Sequence, residues 1–384
     1  MLRTQRRGKY RSLRCYVERG RNQRHQWPPQ CRRLPGQYVQ CLAKGKRTDA
    51  YRGNAGIRKE TRINTKLMKV LANDGISPAG QQKLEEAGFV VDTTKVAQEQ
   101  LAQHILDEQV EVLLVRSATK VRKELIDQVQ NQLRFIGRGG VGMDNIDVEY
   151  AREKGIIVQN TPAASTRSVA ELVFAHLLGM VRFLFDANQK MPLEGETQFK
   201  ALKKSYSAGI ELKGKTLGII GFGRIGQEVA RMAFCLGMDV KAVDPYVEEA
   251  TVELDLAQGQ KAVFKVKPES LEAVLPAVDF LTVHIAGAGK ALIGTEEIEK
   301  MKDGAGIINT ARGGVVNEEA LLSALDSGKL KYAGLDVFEN EPTPAMKLLM
   351  SPYTSLSPHI GAATLEAQDR IGLEMAEHII AKLA

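Results

Sequence analysis

The sequence predicts an α/β protein with two doubly wound parallel sheets and a disordered N-terminal extension. Short apolar runs alternate with amphipathic stretches from Met68 to the end of the chain, which is typical of parallel strands joined by helices. A glycine-rich turn joins one of these runs to a helix, and residues 1–67 show no hydrophobic periodicity. The length of 384 residues suits two or three domains. We therefore expect domains at 68–165 with 355–384 and at 166–354, after an extension at 1–67.

The predicted extension is strongly basic. It carries 19 Lys and Arg against 3 Asp and Glu, whereas the rest of the chain carries 34 against 43. It has few long apolar side chains, so burial could not offset the entropy of ordering it. It lacks the apolar region of a secretory signal, and its single serine, Ser12, disfavours a transit peptide. A nucleic-acid-binding arm would rest on charge alone. We favour a disordered leader, with Met68 as the start of the globular protein and no nucleic-acid partner.

In the first predicted domain the elements have local signals. Ser77 suits the N-cap of a helix whose first position is Pro78. Strands are expected at 69–71, 112–115, 134–137 and 156–159. Helices are expected at 77–87, from Lys120 onward, and at 147–155. A long apolar helix at 166–185 then leaves this domain, and residues 188–215 form a polar arm.

The second predicted domain repeats the alternation of strands and helices. Its strands are expected at 217–220, 241–243, 263–266, 280–284, 306–309 and 332–336. Its helices are expected at 270–275, 296–302 and 317–327. A final amphipathic helix at 366–383 has its apolar residues at Ile371, Met375, Ile379 and Ile380. We expect this helix to return to the first domain, which makes that domain discontinuous.

The turn from Gly221 to Gly226 lies between an apolar strand and an amphipathic helix. In such a turn Gly221 allows the tight bend, Gly223 lets the backbone approach a pyrophosphate, and Gly226 allows close helix packing. The helix N-terminus presents N–H groups and partial positive charge to phosphates. Asp244 ends the next apolar run 18 residues after Gly226, near the distance expected for a ribose-binding acid. The motif predicts a Rossmann domain that binds NAD in preference to NADP, because this carboxylate repels a 2′-phosphate.

Three polar segments follow strands in the second half of the chain. Arg312 directly follows an apolar strand and can bind a carboxylate through two parallel hydrogen bonds. Asp336 ends the next strand, Glu341 lies in the turn beyond it, and His359 lies in a loop after Pro358. Hydride transfer from an alcohol needs a base for the hydroxyl proton, a cation for an adjacent carboxylate and a group that orients the base. His359, Arg312 and Glu341 fit these three roles.

Taken in this order, the motifs resemble the D-isomer-specific 2-hydroxyacid dehydrogenase family. The likeness extends from Met68 to the end of the chain. It rests on Val-Arg-Ser-Ala-Thr-Lys-Val at 115–121, Gly-Arg-Gly-Gly-Val-Gly-Met-Asp-Asn at 137–145, Asn-Thr-Pro at 160–162, the glycine turn and the three polar segments. The resemblance implies a flavodoxin-like substrate domain and a Rossmann NAD domain. Similarity to the family's phosphoglycerate-oxidising members implies oxidation of D-3-phosphoglycerate to 3-phosphohydroxypyruvate, the first step of serine synthesis.

The resemblance also implies residue roles. The catalytic residues would be Arg312, Glu341 and His359. Cofactor contacts are implied for Gly221, Gly223, Arg224, Ile225, Gly226, Asp244, Ile285, Thr310, Arg312, Asp336, His359 and Ala362. Contacts to the substrate phosphate are implied for Arg116, Ser117 and Lys120, and contacts to its carboxylate for the backbone N–H groups of Gly139, Gly140 and Val141. The chain departs from the family where Val141 replaces a Thr and where His-Ile-Ala at 284–286 replaces His-Thr-Pro.

Assembly and location are also constrained. We expect a homodimer, with residues 166–215 as a plausible contact. The single cysteine after residue 67, Cys235, is expected to be a buried thiol that packs in the core, which suits a reducing, cytoplasmic compartment. No run of about 20 uncharged apolar residues predicts a membrane span. No metal site is indicated, and because the chain ends at Ala384 we expect no regulatory domain.

Two alternatives remain open for the function. One keeps the chemistry and changes the substrate to hydroxypyruvate, glyoxylate or a D-lactate-type acid, which would make Arg116 unimportant. The other is a regulator on the same fold that binds NAD without turnover, which the complete set of Arg312, Glu341 and His359 disfavours.

Overall fold

The computed structural model describes residues 67–287 and 289–384. The predicted disordered extension therefore lies outside the described residues, apart from Leu67. The described part confirms the predicted α/β class, because it contains two separate sheets made only of parallel strands.

The first sheet has the strand order of a flavodoxin-like fold. Its strands are β1 (Lys69–Ala72), β2 (Val90–Asp92), β3 (Val110–Val115), β4 (Phe135–Arg138) and β5 (Ile157–Asn160). They are arranged as β2-β1-β3-β4-β5, so the order reverses next to β1. Four of these strands match the predicted ones; the fifth, β2, is short and lies at an edge of the sheet, and no sequence signal indicates it.

Both faces of the first sheet are covered. Successive side chains of a strand point to opposite faces. Accordingly Val112 and Leu114 of β3 pack in one apolar cluster, and Leu113 and Val115 pack in the other. Burial on both faces explains why β3 reads as a continuous apolar run rather than an alternating one.

The helices around this sheet are α1 (Pro78–Glu86), α2 (Leu101–Asp107), α3 (Lys123–Val129) and α4 (Val148–Glu153). Ser77 caps α1 as predicted, since its Oγ accepts a hydrogen bond of 3.2 Å from the N–H of Gly80. The prediction of a helix from Lys120 was wrong by one turn. The reason is tertiary. Val121 forms a β-bridge with Ile146, so α3 can begin only after Val121.

The next strands are β6 (Thr216–Ile220), β7 (Asp239–Val243), β8 (Ala250–Asp255), β9 (Lys261–Val266), β10 (Phe280–Val283), β11 (Ala305–Asn309), β12 (Leu330–Leu335) and β13 (Thr354–Leu356). Six of them form the second sheet, in the order β13-β12-β11-β10-β6-β7. All pairs in this sheet are parallel, and its order reverses at β6, as in Rossmann-like domains.

The strand predicted at 263–266 does not belong to the second sheet. It is part of β9, which pairs only with β8 in a separate antiparallel hairpin. Gln258 and Gly259 both have positive φ, +61° and +74°, and this tight turn folds the two strands back on each other. The alternating buried and exposed residues of β8 are typical of a hairpin with one face covered.

The helices that follow the first sheet in sequence are α5 (Thr166–Val181), α6 (Leu184–Ser205), α7 (Arg224–Cys235), α8 (Leu271–Val274), α9 (Thr295–Lys300), α10 (Glu318–Ser327), α11 (Met346–Leu349) and α12 (Leu365–Leu383). Buried residues of α5 and α7 pack on one face of the second sheet, and those of α10 pack on the other. Residues Met375, Ala376 and Ile379 of α12 pack in a cluster of the first sheet, as expected for a returning chain.

The region between α5 and the second sheet differs from its prediction. The apolar helix ends at Val181 rather than near 185, because Phe183 has a left-handed backbone with φ of +54°. The polar arm is mostly the helix α6, which continues through Pro192. No single helix among the described residues is long and apolar enough to cross a membrane; α5 and the segment Leu184–Ala208 reach that criterion only as a bent pair.

Cys235 does not pack in the core. It is an exposed thiol at the end of α7, with no disulfide to any residue that the structure describes. The core-facing residues of this helix are Val229, Ala230 and Ala233, which leaves position 235 on the solvent side.

Candidate active site

The glycine turn lies at the carboxyl end of β6, at the point where the strand order of the second sheet reverses. Gly221 has φ of +86°, and a Cβ there would lie 2.6 Å from the carbonyl oxygen of His284. A Cβ on Gly226 would collide with the carbonyl oxygen of Gly221, whereas one on Gly223 would meet no described atom within 4 Å. The turn is thus closely packed on the protein side and open at Gly223, which caps α7. These residues fit a dinucleotide, since a pyrophosphate needs this open backbone next to a helix N-terminus.

Asp244 is held close to the same turn. Its two carboxylate oxygens accept hydrogen bonds from the N–H groups of Phe222 at 2.7 Å and Tyr246 at 2.8 Å. The carboxylate is therefore oriented by the backbone before any ligand arrives. It keeps unused lone pairs, so it can also accept hydrogen bonds from ribose hydroxyl groups.

His359 and Glu341 are in direct contact. The Nδ1 atom of His359 lies 2.7 Å from Oε2 of Glu341, and Oε1 of Glu341 accepts a hydrogen bond of 3.1 Å from the N–H of Phe338. No described residue forms a hydrogen bond with Nε2 of His359. Both side chains are partly exposed, 43% and 36%. The imidazole is therefore oriented at one nitrogen and available at the other, which is the arrangement of a positioned acid–base group.

Arg312 belongs to a loop that packs against the loop of Glu341. Asn309, at the end of β11, donates from Nδ2 to the carbonyl oxygen of Arg312 at 2.8 Å. A Cβ on Gly313 would collide with the carbonyl of Phe338, so only glycine allows the two loops to approach this closely. The guanidinium reaches Asp144, whose Oδ2 lies 2.9 Å from Nε.

A cavity of about 580 Å³ contains most of the predicted site residues. Those that line it are Arg116, Ser117, Gly139, Gly140, Val141, Ile225, Ile285, Thr310, Arg312, Asp336, Glu341, His359 and Ala362. Residues of both sheets thus meet at one cavity, although long stretches of sequence separate them. The predicted cofactor residues Gly221, Gly223, Arg224, Gly226 and Asp244 lie outside its lining, at the adjoining glycine turn.

Lys120 does not reach this cavity. It is exposed, and its backbone N–H donates to Oε1 of Gln98 at 3.0 Å. The strand exit that carries Arg116 and Ser117 turns away before Lys120, because Oδ2 of Asp74 accepts from the N–H groups of Arg116 and Thr119.

Two of the three predicted carboxylate-binding amides are already used within the protein. The N–H of Gly139 donates to the carbonyl of Val115 at 2.9 Å, and that of Gly140 donates to Oγ1 of Thr161 at 2.8 Å. The N–H of Val141 has no hydrogen-bond partner among the described residues. Of the three, it is the amide that could bind a ligand without first breaking a protein hydrogen bond.

Arg138 was missed by sequence analysis. It ends β4, lines the same cavity, and its Nε is buried without a hydrogen-bond partner among the described residues. Burial, together with the positive charges of Arg312 and Arg116, lowers the pKa of Arg138 to about 10. The guanidinium is still charged at neutral pH, so three cations line one cavity. An arginine directly after an apolar strand, before glycines, was the signal in the sequence.

Comparison with known proteins agrees with this geometry. The family model described as "D-isomer specific 2-hydroxyacid dehydrogenase, NAD binding domain" matches residues 174–361. The chain is 43% identical over 320 residues to a hydroxypyruvate reductase of Thermotoga maritima, covering 82% of this chain and 98% of that protein. The chain belongs to the D-isomer-specific 2-hydroxyacid dehydrogenase family. It is therefore an NAD-dependent oxidoreductase of the D-2-hydroxyacid class.

Other relatives differ in substrate. The chain is 42% identical to the D-3-phosphoglycerate dehydrogenase of Methanocaldococcus jannaschii, over 82% of this chain but only 57% of that protein. A solved glyoxylate reductase from Paecilomyes thermophila is 30% identical, with a TM-score of 0.67 over 83% of this chain and 96% of that one. Members that resemble this chain thus act on both phosphorylated and unphosphorylated acids, and similarity alone does not identify the substrate.

Proposed function

We propose that this enzyme oxidises D-3-phosphoglycerate to 3-phosphohydroxypyruvate with NAD. The observation that carries the proposal is the set of three guanidinium groups, Arg116, Arg138 and Arg312, on one cavity. A carboxylate accounts for one of them. A phosphate monoester carries a further charge of about −1.5 to −2 at neutral pH, which suits the other two. Hydroxypyruvate and glyoxylate have one negative charge each and would leave two cations without a partner.

The charges of these arginines support an anionic ligand in a second way. Among the described residues, neither Arg116 nor Arg138 forms a salt bridge, and the mutual repulsion of the three guanidinium groups is part of what lowers the pKa of Arg138. Bringing a dianion between them relieves that repulsion and gives the two unpaired guanidinium groups a counter-ion. A partly buried cation without a counter-ion is costly, so supplying one should make the free energy of substrate binding more favourable.

In the proposed mechanism His359 is the general base. Its Nε2 takes the hydroxyl proton of the substrate while Glu341, bonded to Nδ1, orients the ring and stabilises its protonated form. Arg312 and the N–H of Val141 bind the carboxylate, and Arg312 also stabilises the carbonyl oxygen as it forms. Residues of the glycine turn, with Asp244, would hold NAD, which would supply the acceptor for the hydride that leaves C2. The C2–H and O–H bonds break, and the C=O double bond of the product forms.

A substrate pair with matched variants tests the proposal. We expect a higher kcat/KM for D-3-phosphoglycerate than for D-glycerate, which lacks only the phosphate. Arg116→Gln and Arg138→Gln should lower kcat/KM for the phosphorylated acid by roughly 10- to 100-fold, since a hydrogen bond to a charged group is worth about 1.5–3 kcal/mol. Both should affect D-glycerate much less. Lys120→Gln, on the same strand exit but outside the cavity, is the control and should change neither.

Hydroxypyruvate reduction is the second candidate. It is favoured by the Thermotoga maritima relative, a hydroxypyruvate reductase that this chain covers almost completely. Faster turnover of hydroxypyruvate with NADH than of 3-phosphohydroxypyruvate, unaffected by Arg116→Gln, would establish this function and reject phosphoglycerate oxidation.

We further propose that the first sheet with α12 binds the substrate and that the second sheet binds NAD. The distribution of Arg116 and Arg138 on one sheet, and of the glycine turn on the other, supports this division.

A homodimer through α5 and α6 stays a prediction, as does a cytoplasmic location. Support for the dimer comes from exposed apolar side chains on α6, namely Leu184, Phe185, Met191, Leu193 and Phe199.

A further inference from the structure

A buried histidine that the proposed mechanism does not use lies on α5. His176 is only 5% exposed, and both of its ring nitrogens have partners. Nδ1 lies 2.8 Å from Oγ of Ser355, and Nε2 lies 2.9 Å from Oγ of Ser357. Space for the ring is provided by Gly334 of β12, where a Cβ would lie 2.9 Å from the Cβ of His176. An apolar side chain would fill this position at lower cost, because burying a polar ring is unfavourable unless it is fully hydrogen-bonded.

The directions of these hydrogen bonds follow from the donors available. Ser357 donates its single proton to Oδ1 of Asp336 at 2.6 Å. Its oxygen must therefore accept from His176, which places a proton on Nε2. In a neutral ring Nδ1 is then an acceptor, and Ser355 donates to it. Burial lowers the pKa of His176, although the negative charge of Asp336 acts in the opposite direction, and this favours the neutral ring.

The chain of hydrogen bonds ends at the loop of His359. The carboxylate of Asp336 is buried, and it accepts from the N–H groups of Ile360 and Gly361, each at 2.8 Å. The backbone carbonyl oxygen of Asp336 accepts a hydrogen bond from the N–H of His359, also at 2.8 Å. His359 has φ of +54°, a backbone conformation that is unfavourable for a residue other than glycine. Asp336 thus holds three consecutive amides and keeps His359 in this conformation.

We propose that His176 is a positioning residue for proton transfer. Through Ser357 it fixes the rotamer of Asp336, and through Asp336 it fixes the backbone at 359–361 that aims the imidazole of His359 at the substrate hydroxyl. The role rests on the proposed function, in which His359 is the base. The series Ser355, His176, Ser357, Asp336 contains one donor for each acceptor. Removing the ring therefore takes away the acceptor for the Ser355 hydroxyl and the donor to the Ser357 oxygen, and Ser357 keeps only its bond to Asp336.

Variants of His176 test this role. His176→Leu keeps a similar volume and removes both hydrogen bonds. We expect kcat to fall about 10- to 100-fold, as small displacements of a catalytic group can produce. The KM for NAD and the binding of NADH, measured by fluorescence, should stay close to those of the wild type. His176→Gln should recover most of kcat, because its amide can donate to Ser357 and accept from Ser355. The assay uses whichever of D-3-phosphoglycerate and hydroxypyruvate the wild type turns over faster.

Controls separate positioning from stability. Val173→Ala, on the same buried face of α5, removes packing without touching the hydrogen bonds and should keep kcat even where it lowers Tm. If His176→Leu does not fold, Ser357→Ala is the alternative, because it also breaks the path from His176 to Asp336. It is expected to lower kcat by a similar factor. Full kcat in a folded His176→Leu or Ser357→Ala protein would overturn the inference. An equal loss of kcat in Val173→Ala would do the same. Activity retained in His359→Ala would instead reject the proposed base, which is a separate result.

Discussion

The Nε atom of Arg312 lies 2.9 Å from Oδ2 of Asp144, so the guanidinium proposed to bind the substrate carboxylate already contacts a carboxylate of this chain. The Asp144 side chain is 76% exposed and belongs to the loop after β4, whereas Arg312 follows β11. The pair therefore links the loops of the two sheets across the cavity. A substrate carboxylate must compete with Asp144 for the same cation.

Removing this competitor should improve substrate binding. We expect Asp144→Asn to lower the KM for the acid substrate by up to about fivefold, because an exposed ion pair is worth roughly 0.2–1 kcal/mol. Asp303→Asn is a matched control, since Asp303 pairs at the surface with Lys329 rather than with a residue of the cavity. Steady-state kinetics measure both; an unchanged or increased KM in Asp144→Asn would contradict the competition.

His359→Ala should abolish most of the turnover and leave the cofactor site intact. A positioned general base contributes roughly 100- to 10,000-fold to the rate, so kcat should decrease by a factor in that range. Glu341→Gln, which keeps a polar group near Nδ1 and removes the charge, should give a smaller loss. NADH binding, followed by fluorescence, should be largely unchanged in both. His104→Ala is the control, because His104 lies near Asp92 on the first sheet, and it should behave as wild type. Normal activity in His359→Ala would exclude His359 as the base.

Two of the three glycines of the turn, Gly223 and Gly226, should respond differently to alanine. Gly226→Ala should destabilise the fold by about 1–3 kcal/mol, because the added methyl collides with the carbonyl of Gly221. Gly223→Ala should fold normally, since no described atom lies near the added carbon, but it should weaken NADH binding by obstructing the pyrophosphate. Urea unfolding and NADH titration distinguish the effects. Normal NADH affinity in Gly223→Ala would show that the phosphates bind elsewhere.

Cofactor preference should depend on Asp244. The wild type is expected to prefer NAD, and Asp244→Asn should reduce its preference over NADP at least about tenfold. Two like charges about 4 Å apart repel by a few kcal/mol at an effective dielectric constant of about 20. The measurement is the ratio of kcat/KM for the two cofactors, with Tm checked because Asp244 also accepts from the N–H of Phe222. A wild-type preference for NADP would refute this role.

Acidification should destabilise the protein through His284. Burial lowers the pKa of His284 to about 3, below the ordinary value for a histidine. Between about pH 6.5 and pH 3 the unfolded chain therefore binds a proton that the folded protein does not, and stability falls as pH falls. From pH 7.5 to 5.5 this group should cost about 1.4 kcal/mol of unfolding free energy. Urea unfolding of His284→Gln should show a correspondingly smaller loss; parallel losses in both proteins would rule out this histidine.

Local sequence signals predicted the elements that depend on local interactions. Ser77 with Pro78, the apolar run before Gly221 and the final amphipathic helix all carry their signal within a few residues, and the structure has these elements. The failures have tertiary causes. The start of α3 is delayed by the bridge between Val121 and Ile146, and β9 pairs with β8 rather than with the sheet. Neither pairing can be inferred from the residues of one strand.

The site shows the same division. Its residue types could be predicted because each follows an apolar strand, and the carboxyl ends of parallel strands meet at one edge of a sheet. The hydrogen-bond partners of these residues, and which side chains reach the cavity, could not be predicted from the sequence. The amides of Gly139 and Gly140 are already bonded, Lys120 lies outside the cavity, and Arg138 lies within it.

By itself, the sequence determined the α/β class and the dinucleotide turn, and it predicted catalytic roles for Arg312, Glu341 and His359, since these depend on composition, period and strand ends. Only the tertiary structure decided which groups meet. It joined three arginines from two sheets on one cavity, placed Asp144 against Arg312, and linked His176 to the loop of His359 through Ser357 and Asp336. The physical reason is that hydrogen bonds and charge repulsion depend on distances of a few ångströms between residues far apart in the chain, and no local pattern encodes those distances.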